Sequence, residues 1–116
     1  MVEVFNVASL DWQPIRPDMA HGVYGKSLMK DGIKIILTRV SPGGKFDCHQ
    51  DKYGHLFYFL SGDGILRVQA KEFKVAPGLI VRVNAGEPHA YENTGNLDLM
   101  LISVNIPAGQ VEQPEI

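Results

Sequence analysis

The feature that most restricts this chain is its punctuation. From residue 33 onward, short apolar stretches alternate with turn residues. Ile33 to Val40 ends at Ser41-Pro42-Gly43-Gly44, and His55 to Leu60 ends at Ser61-Gly62-Asp63-Gly64. Ile65 to Ala70 meets Lys71-Glu72, Phe73 to Val75 stops at Pro77-Gly78, and Leu79 to Val83 stops at Asn84-Ala85-Gly86. Ala90 to Glu92 gives way to Asn93-Thr94-Gly95-Asn96, and Leu97 to Ile106 runs to Pro107. No segment sustains a helical apolar period over three turns. Strands of about five residues at even spacing define an all-β sandwich or barrel. The twelve glycines and seven prolines fall mostly between strands, where such a fold needs them.

Successive side chains of a strand point to opposite faces, so Phe57 and Phe59 point one way and Leu56, Tyr58 and Leu60 the other. One face lines a barrel interior; the other needs a cover, and a homodimer is expected on that ground. Residues 1–20 fit no regular element. Asp11-Trp12-Gln13-Pro14 and Arg16-Pro17 read as an extended arm, with Trp12 and Phe5 packing on the barrel or on a neighbour. Residues 21–107 form the barrel of one domain, and the tail from Ala108 to Ile116 is expected to fray.

Charge excludes one class of partner. Lys plus Arg number 11 against 13 Asp plus Glu, a formal net charge of −2, with no basic cluster to bind nucleic-acid phosphates. The longest bulky apolar run, Leu56 to Leu60, is too short to cross a bilayer. The single cysteine, Cys48, cannot form an internal disulfide, and the N-terminus lacks the pattern of a signal peptide, so a cytoplasmic location is expected. Cys48 has the opposite phase to His49 and is read as a packed core thiol, not a nucleophile.

The chemistry is concentrated in residues 49–62, HQDKYGHLFYFLSG. In an extended strand His49 and Asp51 share a face. Lys52-Tyr53-Gly54 can turn the chain so that His55 returns to the same pocket, and His89, after the Asn84-Ala85-Gly86 turn, can supply a fourth group from a distant strand. Three imidazoles and a carboxylate are a credible donor set for one divalent transition metal, with Mn, Fe, Zn or Ni as candidates. The alternative is a buried polar network without metal, every member of which would have to be satisfied. Phe57 and Phe59 share the phase of His55 and wall the pocket, or serve simply as core. His21 reads as a surface or hydrogen-bonded histidine. Arg39, Tyr58 and Tyr91 receive no assignment.

Two stretches carry a family resemblance. Residues 43–62, GGKFDCHQDKYGHLFYFLSG, and 78–93, GLIVRVNAGEPHAYEN, resemble the paired motifs of the cupin family. The second agrees at Gly78, Gly86, His89 and Asn93 and departs at Asn84, where the family has proline. The first agrees at Gly43, His49 and Gly62. Asp51 stands where a second histidine is usual and His55 where glutamate is usual. The chain looks most like a subset of small single-domain bacterial cupins with a four-histidine site, with Asp51 replacing one imidazole. The resemblance implies a double-stranded β-helix, a small jelly-roll barrel, and a metal held by His49, Asp51, His55 and His89. It leaves three functions open. The first is a metal-dependent oxidoreductase of dioxygenase type on a small oxygen-bearing substrate, with an isomerase or lyase acting on a sugar or keto acid as a variant. The second is a module that binds a small molecule without turnover. The third is a protein that keeps only the fold.

Overall fold

The computed structural model describes residues 2–107, and the tail expected to fray lies outside the described residues. After a short 3-10 turn, Val7–Ser9, the strands are β1 (Gln13–Pro14), β2 (Ala20–Asp31), β3 (Ile33–His49), β4 (Gly54–Ser61), β5 (Gly64–Val68), β6 (Lys71–Val75), β7 (Ile80–Val83), β8 (His89–Asn93) and β9 (Leu99–Ile106). Their hydrogen-bonded order is β6-β5-β8-β3-β9-β4-β7, with β2 beside β3 and β1 beside β2. The pairings are antiparallel. The sheet curls on itself and encloses a core of Phe57, Phe59, Leu66, Leu99 and Leu101 with their buried neighbours. This is the all-β jelly-roll architecture that the turn spacing and the motifs predict.

One strand joins the two halves of the roll. The sequence reads Ser41-Pro42-Gly43-Gly44 as the end of a strand, but β3 continues through it to His49. Its first half, Lys34 to Val40, pairs with β9, and its second half, from Lys45, pairs with β8. The prolyl-glycyl segment is therefore a bend at which the strand changes partners, a device that turns sheet corners. Pro42 is exposed and Gly43 adopts φ +78°. Gly44 is buried, and a Cβ there would lie 2.8 Å from the Ser41 carbonyl oxygen and 2.9 Å from that of Gly22, so only glycine fits without a shift.

β2 is a second departure from the expectation, because its twelve residues have no apolar run. Register shifts between His21 and Val23 and between Ser27 and Met29 break its period, and two glycines dilute it. The arm expected over residues 1–20 contributes β1, whose Gln13 and Pro14 lie opposite Gly25 and Tyr24. Trp12 packs on the barrel, with the Arg39 guanidinium 4.5 Å and the Lys26 ammonium 4.8 Å from its ring. Phe5 lies beside the end of β2 and is half exposed.

The phase argument holds for β4. Phe57 and Phe59 are buried, while Tyr58 and Leu60 are exposed. The last strand begins at Leu99, not Leu97, which is exposed in the preceding turn. Asn93 shapes that turn. Its side-chain amide donates to the Val40 and Leu97 carbonyls at 2.8 Å, and its oxygen accepts from the Gly95 amide at 2.9 Å. Cys48 stands between buried Phe46 and half-buried His49 on β3, but it is exposed, not packed, because it lies at the strand's end. His21 is exposed as read. Among the described residues no helix is long and apolar enough to cross a membrane.

Candidate metal centre

The four residues singled out in the sequence converge at one end of the barrel. His49 closes β3 and His89 opens β8, and the two are register partners. His55 is the second residue of β4. Asp51 lies beyond the end of β3, not on it, yet its carboxylate is the centre of the group. Its Oδ2 lies 2.8 Å from His55 Nε2, 3.1 Å from His49 Nε2 and 3.8 Å from His89 Nε2. His49, Asp51 and His89 offer ligand atoms all within 4.8 Å of one another, and His55 joins through its contact with Asp51.

Each imidazole is fixed by its other nitrogen. His49 Nδ1 lies 2.7 Å from the Asp47 carbonyl oxygen and His89 Nδ1 lies 2.9 Å from that of Glu87. His55 Nδ1 lies 3.0 Å from Asn105 Oδ1. The Asp47 and Glu87 carbonyls are acceptors, so Nδ1 of His49 and of His89 carries a hydrogen and Nε2 faces the centre, whereas His55 sits between Asn105 and Asp51 and hydrogen-bonds the carboxylate through Nε2. Stacking fixes the ring planes. His49 stacks on Phe46 at 4.5 Å and His55 on Phe57 at 5.2 Å. His49 and His89 thus turn Nε2 toward a carboxylate that His55 also engages, a nitrogen and oxygen donor set that a cation can share. Ligands at about 2.1 Å from one metal stand about 3.0 Å apart when adjacent and about 4.2 Å apart when opposite. The spacings of His49 and His89 from Asp51, 3.1 and 3.8 Å, fall in that range, so these three residues fit a metal ion, with His55 beside them on Asp51.

The electrostatics favour the same occupant. Burial pushes the His89 pKa down, and the nearby imidazoles add to this; the Glu87 hydrogen bond and Asp51 oppose it only in part, leaving it at about 4. Burial alone would raise the Asp51 carboxyl, but hydrogen bonds from His55 and Arg16 and the neighbouring imidazoles hold it below the usual carboxylate range. At neutral pH the centre is therefore a carboxylate beside a neutral His89. This gives an expected pH dependence for metal-free protein. The unfolded chain takes up a proton on His89 below about pH 6.5, whereas the folded chain resists until about 4. Stability is then fully present above 6.5 and falls as the pH drops toward 4, by up to about 1.4 kcal/mol per pH unit from this one proton. The lowered Asp51 pKa acts in the same direction at lower pH. Urea midpoints at pH 7.5, 5.5 and 4.5 check this, and His89→Asn should flatten the dependence between 6.5 and 4.

Residues outside the motifs complete the site. Arg16, from the arm, donates Nη1–H to Asp51 Oδ1 at 2.8 Å. A cavity of about 60 Å³ lies over the cluster, walled by Phe46, Phe57 and Tyr91 and edged by Arg16, Tyr53 and Asn105. Phe59, expected in that wall, sits deeper in the core. Tyr91, left unassigned by sequence, is buried, and burial pushes its phenol pKa up, so it stays protonated. Asn105 was readable in principle, because it shares the inward phase of Leu99, Leu101 and Ser103 yet is polar. Arg16 and Tyr53 had no such signal.

Comparison with known proteins agrees with this architecture. The family described as "Cupin domain" matches residues 36–105. A protein of Thermotoga maritima called an oxalate-binding protein is 27% identical over 90 residues, covering 77% of this chain and 74% of its own. The structure of a predicted oxalate decarboxylase from the same organism superposes with a TM-score of 0.82 at 23% identity, covering 90% of this chain and 99% of the other. The polyketide cyclase RemF of Streptomyces resistomycificus also superposes with a TM-score of 0.82, at 20% identity, covering 98% of this chain and 90% of its own. At those identities the two structures establish the fold. With the family match spanning more than half of its residues and the motif histidines gathered at the barrel's end, the chain belongs to the cupin family.

Proposed function

We propose that this protein holds one divalent transition metal through His49, Asp51, His55 and His89 and uses it to bind a small oxygen-bearing ligand through two oxygens. The observation that carries this reading is the gathering of the Nε2 atoms of His49, His55 and His89 around Asp51 Oδ2, a donor set that a divalent cation can share. The hard carboxylate in an otherwise nitrogen set favours Mn or Fe over Zn or Ni. When bound, such an ion supplies Lewis acidity and, if redox-active, chemistry of dioxygenase type. The chain's own residues bind and shield: Phe46, Phe57 and Tyr91 exclude water, and the cavity of about 60 Å³ admits only a few heavy atoms. An engineered cavity that accepts benzene has roughly 150 Å³. The likeness to a protein called oxalate-binding supports a ligand of this size and type.

Acid–base chemistry by the protein is the weaker reading. His89 is held at about 4, the Tyr91 phenol is pushed up, and Asp51 is engaged by Arg16 and His55, so none of these three is poised near neutrality. That favours metal-centred chemistry, or simple capture of the ligand, over an isomerase or lyase. The test is elemental analysis of untagged protein purified without chelator, followed by calorimetry with oxalate and oxygen-electrode assays with small diols and keto acids. Near one equivalent of metal, oxalate binding that vanishes with the metal, and oxygen uptake with some substrate support the dioxygenase-type reading. Binding without turnover reduces it to a binding module. No metal after incubation with Mn, Fe, Zn and Ni refutes both.

We also propose that the outward face of β3, β9, β4 and β7 meets a second copy of this chain. Register places Leu37, Ile102, Tyr58 and Ile80 in one row across these strands, with Ile35, Val104 and Leu56 in the next. Tyr58 and Ile80 are exposed. Such a row is self-complementary about a twofold axis, as an isologous dimer requires. Light scattering should give twice the 12.8 kDa chain mass for wild type and the single mass for Tyr58→Lys.

A further inference from the structure

The centre carries an imbalance of charge. Asp51 is paired with Arg16, so these two side chains cancel. A divalent ion among imidazoles then leaves two positive charges beside a small cavity with aromatic walls, where uncompensated charge is expensive. Asp18, the other acid near Arg16, is exposed to water and compensates little. Resting on the metal reading above, we propose that the ligand is a small dianion, one of whose anionic groups is held at the metal while the other is held by Arg16 with Tyr53 beside it. Arg16 is on this view the specificity-determining residue of the site.

The structure presents Arg16 for that role. It lies outside the family segment 36–105, on the arm. Its backbone has φ 41°, a left-handed conformation uncommon for a residue with a side chain. That conformation is pinned on both sides. The Ile15 amide donates to the Val23 carbonyl at 3.0 Å, and the Met19 and Ala20 amides both donate to the Arg16 carbonyl at 2.9 Å. Ile15 is seated over Gly25, where a Cβ would come within 2.6 Å of Ile15 Cδ1. The guanidinium is thus aimed at the cavity by strained but anchored backbone. It has five N–H donors in a planar fork and gives Asp51 Nη1–H. Arg16 also hydrogen-bonds Tyr53, both side chains line the cavity, and a fork of that shape matches a carboxylate.

The experiment compares wild type, Arg16→Gln, Arg16→Lys and Tyr53→Phe, all loaded with Mn²⁺ in carboxylate-free buffer. Metal affinity is measured first, then the affinities for oxalate, a dianion, and azide, a monoanion that needs only the metal. Whatever metal affinity Arg16→Gln retains, at full metal loading its oxalate Kd should rise roughly tenfold or more while its azide Kd stays within about threefold. Arg16→Lys should recover part of that loss, and Tyr53→Phe should show a smaller loss of the same selectivity. Parallel weakening of metal, azide and oxalate would reduce Arg16 to a residue that positions Asp51, and would overturn the proposal. So would an unchanged oxalate Kd in Arg16→Gln. Failure of wild type to take up metal overturns the metal reading together with this one, whereas metal uptake with unaltered oxalate selectivity overturns this one alone.

Discussion

On the proposed metal reading, replacing His49 by alanine should empty the centre of metal. Protein reconstituted with Mn²⁺ and dialysed should retain near one equivalent as wild type and less than about a tenth as His49→Ala, an affinity loss of at least ~100-fold. Loss of an outer partner of a metal ligand already weakens binding 10–100-fold, so losing a ligand does more. His49 suits the test because its ring is fixed by the Asp47 carbonyl and the face of Phe46, so deletion removes a donor without disturbing the barrel's interior. A melting curve on the metal-free variant separates a lost ligand from a lost fold. Wild-type metal content in His49→Ala would remove His49 from the ligand set.

The largest loss of stability is expected from Phe59→Ala. Phe59 is fully buried, and its ring stands 6.4 Å from that of Phe57. Its backbone bonds to Leu79 and Gly78 survive the change, so the effect is that of a cavity. Deletions of this kind cost about 3–5 kcal/mol, a large fraction of the roughly 5–15 kcal/mol that holds a domain of this size. At about 4–8 °C per kcal/mol the melting temperature should fall by roughly 12–40 °C. The urea midpoint should fall with it while the slope stays constant. Leu97→Ala, in an exposed turn, should stay within about 0.5 kcal/mol of wild type. A small effect at Phe59 would mean that the barrel's interior collapses around the gap.

What was legible in the chain follows from which forces are local. Turn residues act within a few positions, so Gly62-Asp63-Gly64 and Asn93 to Asn96 mark real strand ends. The alternation of β4 is set by burial along one strand and reads correctly at Phe57, Tyr58 and Phe59. Ser41 to Gly44 misleads because proline and glycine serve a bend as well as a reversal, and only the partners, β9 before it and β8 after it, tell the two apart. β2 is hidden because two register shifts erase its period. The convergence of His49, Asp51, His55 and His89 was readable from spacing. The Arg16–Asp51 pair was not, because it spans 35 residues and depends on how the arm crosses β2.

The continuous bend in β3 has a consequence for how the molecule opens. Because the same backbone serves as neighbour to β9 in one half of the roll and to β8 in the other, neither half can detach while the other stays intact. Amide protons at Thr38 and at Phe46 should therefore exchange with deuterium at rates set by one common opening free energy, equal to that of the whole barrel. The arm is held by the two register pairs of β1, the Ile15–Val23 bond and the Arg16–Asp51 pair, fewer ties than the roll has, and its amides should exchange before either. The roll thus behaves as one cooperative unit, and the segment bearing Arg16 is tied to it by a separate and weaker equilibrium.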